Sequence, residues 1–139
     1  MAQSIREVMT ADPRTVEPGD SVVDAARQMA EGDVGAVLVT ENGSVTGILT
    51  DRDIAVRVVA EGRDPQGTKV SDVCTSNPST LTVDQSVDDA IRIVREQNVR
   101  RVPVVQDGRP AGIVSIGDLA IERDTGSALA DLSSEPANN

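Results

Sequence analysis

The chain has 139 residues, a net charge of −10 and no Phe, Tyr, Trp or His. Without imidazole, Ser–His–Asp triads, imidazole acid–base catalysis and His-ligated zinc are excluded, and a lone Cys74 supplies neither an intramolecular disulfide nor a multi-thiolate metal site. Seven basic against twelve acidic residues in 1–69, and six against eleven in 70–139, disfavour nucleic acid and anionic lipid as partners. No long apolar run and no basic-plus-apolar opening is visible, so the expectation is a cytoplasmic protein with no membrane contact. The core must be built from Val, Ile, Leu, Ala and Met, and abundant valine favours strands with helices laid on them.

In chain order, Ile5–Met9 reads as a short helical turn and Thr15-Val16 as an extended piece. Ser21 and Asp24 then mark a helix start, the hydroxyl accepting from a free amide and the acid favoured by the helix dipole. Val22, Ala25, Ala26 and Met29 follow at helical spacing, with Gly32 as the stop. Ala36–Thr40 and Ser44–Leu49 flank Asn42-Gly43, a hairpin with a tight turn. A helix begins at Thr50, with Ile54, Val58 and Val59 as its apolar positions. Residues 63–69, around Asp64-Pro65, read as a linker.

The same order then repeats. Val70–Cys74 is a turn and Thr80-Leu81 an extended piece. Ser86 and Asp89 start a helix with Val87, Ala90, Ile91 and Val94. Val102–Val105 and Pro110–Val114 flank Asp107-Gly108, and a last helix begins at Ser115. A shift of 65 residues aligns 5–54 with 70–119 without a gap, and 17 of those 50 positions are identical, far above chance. The chain is therefore a tandem duplication, with copies over 5–62 and 70–123 and a disordered polar tail over 124–139. Each half alone would bury too little surface to be stable, so the halves are expected to share an interface. Cys74 is expected to be a small buried hydrophobe.

Both hairpins run into a helix through one pattern, Gly47-Ile48-Leu49-Thr50-Asp51-Arg52-Asp53 and Gly112-Ile113-Val114-Ser115-Ile116-Gly117-Asp118. The glycine admits another backbone or a ligand close to the strand. The hydroxyl sits among helix-start amides where a phosphate is welcome, and an aspartate one turn on can accept from vicinal ribose hydroxyls. The same spacing is that of an acidic capping box, and from spacing alone both readings stand. Arg52 is a further phosphate candidate. So are Arg100 and Arg101, of which strand alternation lets one face a given side.

These residues carry a resemblance. The Pro-x-Thr-Val/Leu pieces, the run Val99-Arg100-Arg101-Val102-Pro103-Val104-Val105 and both Gly-x-x-Thr/Ser-x-x-Asp motifs resemble a tandem pair of CBS domains, a Bateman module, of the stand-alone bacterial hypoxic-response type. The resemblance implies a mixed α/β (α+β) fold of two β-α-β-β-α repeats packed sheet to sheet about a pseudo-twofold axis, with two clefts between them. It implies a regulatory, non-catalytic sensor of an adenine nucleotide (AMP, ADP or ATP ahead of S-adenosylmethionine or a dinucleotide). Thr50 and Ser115 would contact phosphate and Asp53 and Asp118 ribose. Adenine would lie near Thr15, Val16 and Val39 in one copy and Thr80, Leu81 and Val104 in the other. It further implies a homodimer and a separate effector protein; no catalytic residue, metal or obligatory cofactor is expected. The first copy departs from the pattern, with Gly35-Ala36-Val37-Leu38 where the second has Arg100-Arg101-Val102-Pro103. The competing expectation is a ligand-free structural or dimerisation module acting through a protein partner in a stress response.

Overall fold

The computed structural model describes residues 4–123; the tail expected over 124–139 lies outside them. In chain order the elements are α1 (Ile5–Val8), β1 (Thr10–Ala11), β2 (Thr15–Val16), α2 (Val22–Gly32), β3 (Ala36–Glu41), β4 (Ser44–Thr50) and α3 (Asp51–Ile54). α3 continues as a π-helical turn, Ala55–Val59. The second copy runs α4 (Val70–Val73), β5 (Thr75–Ser76), β6 (Leu81–Thr82), α5 (Val87–Gln97), β7 (Arg101–Gln106), β8 (Arg109–Ser115) and α6 (Ile116–Arg123). The strands form two four-stranded sheets, β2-β3-β4-β5 and β1-β8-β7-β6. The mixed α+β architecture read from the sequence is the one found.

The sheet order departs from the sequence repeat in one respect. β1, the leading strand of the first copy, pairs antiparallel with β8 of the second, Thr10 opposite Ile113 and Ala11 opposite Gly112. Reciprocally, β5 pairs with β4, Thr75 opposite Ile48 and Ser76 opposite Gly47. The compact units are accordingly 13–78, and 4–12 together with 79–123. The short leading helices go with their strands. Ile5 is fully buried in a cluster with Leu81, Val87, Ala90, Val102, Val104, Val114 and Leu119. Val70 and Val73 are buried with Val16, Val22, Ala25, Met29, Val37, Val39, Leu49 and Val58. Burying a side chain such as Ile5 contributes about 1.5–3 kcal/mol, enough to hold a segment with only two ladder residues.

The glycines of the repeated motif serve this exchange. A Cβ on Gly112 would stand 2.8 Å from the Thr10 carbonyl oxygen and 2.6 Å from Met9 Sδ, and one on Gly47 2.9 Å from the Thr75 carbonyl oxygen and 3.3 Å from Cys74 Sγ. What comes close to the strand is another backbone, with a sulfur atom above each glycine. Cys74 is accordingly half-buried rather than fully buried.

Local chemistry explains the remaining elements. The Ser21 hydroxyl accepts from Asp24 N (3.0 Å) while an Asp24 carboxylate oxygen accepts from Ser21 N (3.3 Å), and Ser86 and Asp89 repeat this at 3.1 and 3.2 Å. α2 and α5 end on left-handed residues, Asp33 (φ 53°) and Asn98 (φ 54°), which short polar side chains tolerate. Gly32 is the last helical residue, not the left-handed one. The hairpins turn through positive φ at both central residues, Asn42 and Gly43 (52° and 82°) and Asp107 and Gly108 (55° and 79°), the geometry that Asn-Gly and Asp-Gly supply.

Two expected core positions are not core. Ala26 is exposed, lying off the stripe of Val22, Ala25 and Met29. Val59 is exposed while Val58 is fully buried, because Ile54 and Val58 already share the inward face at i,i+4 and the π-helical turn carries Val59 outward. The expected linker is an ordered turn: the Thr68 hydroxyl donates to the Asp64 carbonyl at 2.8 Å, and the Thr68 carbonyl accepts from Val22 N at 2.9 Å. No helix among the described residues is long and apolar enough to cross a membrane.

Candidate functional site

Each copy places its hydroxyl and aspartate at the junction of its last strand and the following helix. Thr50 ends β4 in extended conformation and caps α3. Its amide donates to Asp53 Oδ2 at 2.9 Å and its Oγ1 accepts from Asp53 N at 3.1 Å. Ser115 and Asp118 make the same reciprocal pair at 3.1 and 3.2 Å. All four residues are half-buried. The capping reading therefore holds in both copies, and it does not use up the groups. Each hydroxyl still has a proton to donate, and each ionised carboxylate has a second oxygen with lone pairs.

The amides near Thr50 are another matter. Asp51 N donates to the Gly35 carbonyl (2.9 Å), Arg52 N to Asp51 Oδ1 (2.8 Å) and Asp53 N to Thr50 Oγ1 (3.1 Å). The first copy thus does not offer the bare helix-start amides that the motif suggests for a phosphate. A phosphate there would have to be met by side chains, the Thr50 hydroxyl and the exposed Arg52. In the second copy Ile116 N donates to the Arg100 carbonyl (2.9 Å). Gly117 replaces Arg52, and a Cβ there would make an ordinary contact with Ser115 Oγ at 3.7 Å.

The arginine pair of the second copy separates as alternation requires. Arg101 stands directly opposite Ser115 in the β7–β8 ladder, where cross-strand partners share a face. Arg100 is exposed, one residue ahead of the strand. In the first copy the residue opposite Thr50 is the buried Ala36, so a basic residue stands across the ladder from the hydroxyl in the second copy and not in the first.

The apolar residues expected along the adenine wall turn their side chains into the core. Val16 and Val39, like Leu81 and Val104, have their side chains in the buried clusters and offer no face to a ligand except through backbone. Strand alternation decides this: Val37 and Val39 point one way, and Leu38 with its ladder partner Ile48 the other. In the second copy Pro103 and its partner Ile113 take that opposite face. Thr15 is exposed, and Thr80 is exposed just ahead of β6.

One residue absent from the sequence reading belongs to the site. Arg57, one turn beyond Asp53, brings its Nε to 3.9 Å from Asp53 Oδ1 and donates from Nη1 to the Val73 carbonyl at 3.0 Å. Its signal was the i,i+4 spacing from Asp53. Cys74 adjoins it. Burial pushes this thiol above its ordinary range, with the Asp53 charge adding to the rise and a hydrogen bond to Ser76 and the Arg57 charge opposing it.

The fold is thus a duplication of one small α+β unit, each copy with a capped hydroxyl–carboxylate pair at a strand-to-helix junction. The family model "CBS domain" matches residues 5–60 and 70–123, and the chain belongs to the CBS-domain family. CBS domain-containing protein YhcV of Bacillus subtilis is 39% identical over 134 residues, covering 94% of this chain and 95% of that protein. Hypoxic response protein 1 of Mycobacterium tuberculosis is 31% identical over 116 residues, covering 83% and 81%. A crystal structure of Hypoxic Response Protein I with two coordinated zinc ions superposes with TM-score 0.76 at 29% identity, covering 88% of this chain and all of that one. A hexameric CBS-CP12 protein from bloom-forming cyanobacteria superposes with TM-score 0.82 at 27% identity, covering 90% and 74%. Pairs of CBS domains are regulatory, often ligand-binding modules.

Proposed function

We propose that this chain is a non-catalytic sensor of adenine nucleotides, AMP, ADP or ATP, that works as a cytoplasmic homodimer and signals to a separate effector protein. The observation that carries the reading is the reciprocal pairing of Thr50 with Asp53 and of Ser115 with Asp118. It pre-orients a donor hydroxyl and a carboxylate at each junction while leaving a proton and an oxygen for a ligand. In this reading the hydroxyls meet phosphate and the aspartates meet ribose. Arg52 assists the first site, and Arg101, beside Ser115, assists the second ahead of Arg100. The base lies along the exposed Thr15 and Thr80 and the adjacent strand backbone at Val16, Val39, Leu81 and Val104. Self-association is supported by the hexameric relative and by the exposure of Val56 and Val59 (48% and 69%) on one helix.

The test is thermal unfolding by calorimetry with AMP, ADP, ATP, NADH and S-adenosylmethionine in turn. At about a hundredfold excess over Kd a single-site ligand adds about 2.7 kcal/mol, a shift on the order of 5–15 °C. The expected result is a shift for an adenine nucleotide that Asp53→Ala or Asp118→Ala removes. A specific observation favours a second reading, a ligand-free dimerisation module acting through a protein partner in a stress response: both pairs already act as helix caps, and three successive amides of the first copy are satisfied within the chain. A folded oligomer with no shift for any of the five compounds selects it.

A further inference from the structure

Arg57 touches two elements of one compact unit, one from each copy of the repeat. Its Nε faces Asp53 Oδ1 at 3.9 Å, and its Nη1 donates to the Val73 carbonyl at 3.0 Å. Val73 ends α4, the helix that the second copy lends to this unit together with β5. Asp53 in turn is held by the Thr50 amide through Oδ2, so Oδ1 is both the oxygen nearest Arg57 and the one left for a ligand. The Asp53 side chain is 17% exposed and the Arg57 side chain 51%, so the carboxylate is sheltered while the guanidinium reaches it from the surface. At the repeat shift the residue matching Arg57 is Glu122. There the i,i+4 partner of Asp118 carries the same charge as Asp118, and this pairing cannot form.

We propose that Arg57 is a positioning residue that couples a ligand on Asp53 to the exchanged segment 70–77, and that the second copy has no such coupling. The inference rests on the nucleotide reading above. A hydroxyl donating to Oδ1 engages the second carboxylate oxygen and removes the remaining rotational freedom of that group. Arg57, drawn to the same carboxylate, is then held more firmly on the Val73 carbonyl, and the segment behind it opens less often. At the repeat position of Arg57 the second copy carries Glu122, so the corresponding segment of the other unit, 4–11, is expected to respond only to overall stabilisation. One of the two junctions thus reports to a defined piece of backbone.

Hydrogen exchange of the full chain tests this, comparing amides of 70–77 with those of 4–11 in the wild type, Arg57→Ala and Arg57→Lys. Without nucleotide, Arg57→Ala should speed exchange of 70–77 by about three- to tenfold relative to 4–11, the worth of a part-exposed charged hydrogen bond. ATP or AMP should slow exchange of 70–77 more than that of 4–11 in the wild type, and slow both alike in Arg57→Ala. Arg57→Lys, which keeps the charge, should recover part of the difference. Unchanged ligand-free exchange in Arg57→Ala overturns the tether. A nucleotide effect on 70–77 that survives Arg57→Ala overturns the coupling while leaving nucleotide binding intact. A wild type that binds neither ATP nor AMP overturns the nucleotide reading and the coupling with it, and the ligand-free effect of Arg57→Ala then identifies a purely structural tether.

Discussion

The two strand-to-helix junctions share a backbone and differ in their charges. Both cap a helix with a hydroxyl–carboxylate pair of nearly the same geometry. Around Thr50 the cations are Arg52 and Arg57, both on the helix that follows, and the residue across the ladder is the buried Ala36. Around Ser115 the helix offers Ile116 and Gly117, and the cation is Arg101, across the ladder on β7. Duplication therefore preserved the groups that the backbone itself needs and let the surrounding charges diverge. The cap contributes about 0.5–2 kcal/mol to each copy whatever binds there, whereas an arginine beside it acts through what it touches, which for Arg57 is the Val73 carbonyl of the exchanged segment.

That comparison can be broken or sharpened by experiment. The largest effects should come from the exchanged segments. Ile5→Ala should cost about 2–5 kcal/mol in chemical denaturation, since it empties a fully buried site. A cost near zero would mean that 4–12 does not pack as described.

Gly47→Ala and Gly112→Ala should each cost about 1–3 kcal/mol by overpacking, because a backbone carbonyl lies within 2.9 Å of each new Cβ. Equal losses would show that the two ladders are equally rigid. A much smaller loss for Gly112→Ala would show that β1 gives way.

Asp53→Asn and Asp118→Asn should each cost about 0.5–2 kcal/mol as weakened caps. In nucleotide titrations Arg101→Ala should weaken binding only at the second copy and Arg52→Ala only at the first. If one variant abolished both events, the two copies would have to share a single site.

The smallest effect is one of pH. Asp89 has its carboxyl held below the ordinary range, chiefly by the Ser86 amide, which outweighs the opposing effect of desolvation with the help of the Ser86 hydroxyl and Arg92. A lowered folded value means that its contribution is complete above the unfolded pKa and is lost as pH falls through the folded one. The stability difference between wild type and Asp89→Asn should therefore be flat above about pH 5 and shrink below about pH 4. A difference that stayed constant into acid would remove the charge from the α5 cap.

Much of this was legible in the sequence for local reasons. Asn42-Gly43 and Asp107-Gly108 dictate their turns through backbone conformation alone. Ser21 with Asp24 and Ser86 with Asp89 cap helices over three residues, and Thr50 with Asp53 and Ser115 with Asp118 do the same. The inward stripes of α2 and α5 follow from spacing, with Ala26 a miss because small residues are tolerated on either face. At Val39 and Val104 the sequence did not show that the side chains turn into the core. A strand's period of two says which residues share a face but not which of two apolar faces meets the helices. Arg57 was missed because an i,i+4 ion pair says nothing about the distant carbonyl that completes its role.

The sequence by itself determined the duplication, the elements in order, the caps and turns, and the pairing of hydroxyl with carboxylate at each junction, all set by interactions within a few residues. Only the tertiary structure decided which sheet receives each leading segment. Residues 4–12 and 70–78 carry similar short patterns and fit either sheet by local criteria. Their placement depends on buried volume around Ile5, Val70 and Val73, and on the close approach allowed over Gly47 and Gly112. Packing between residues distant along the chain is a property no local pattern encodes.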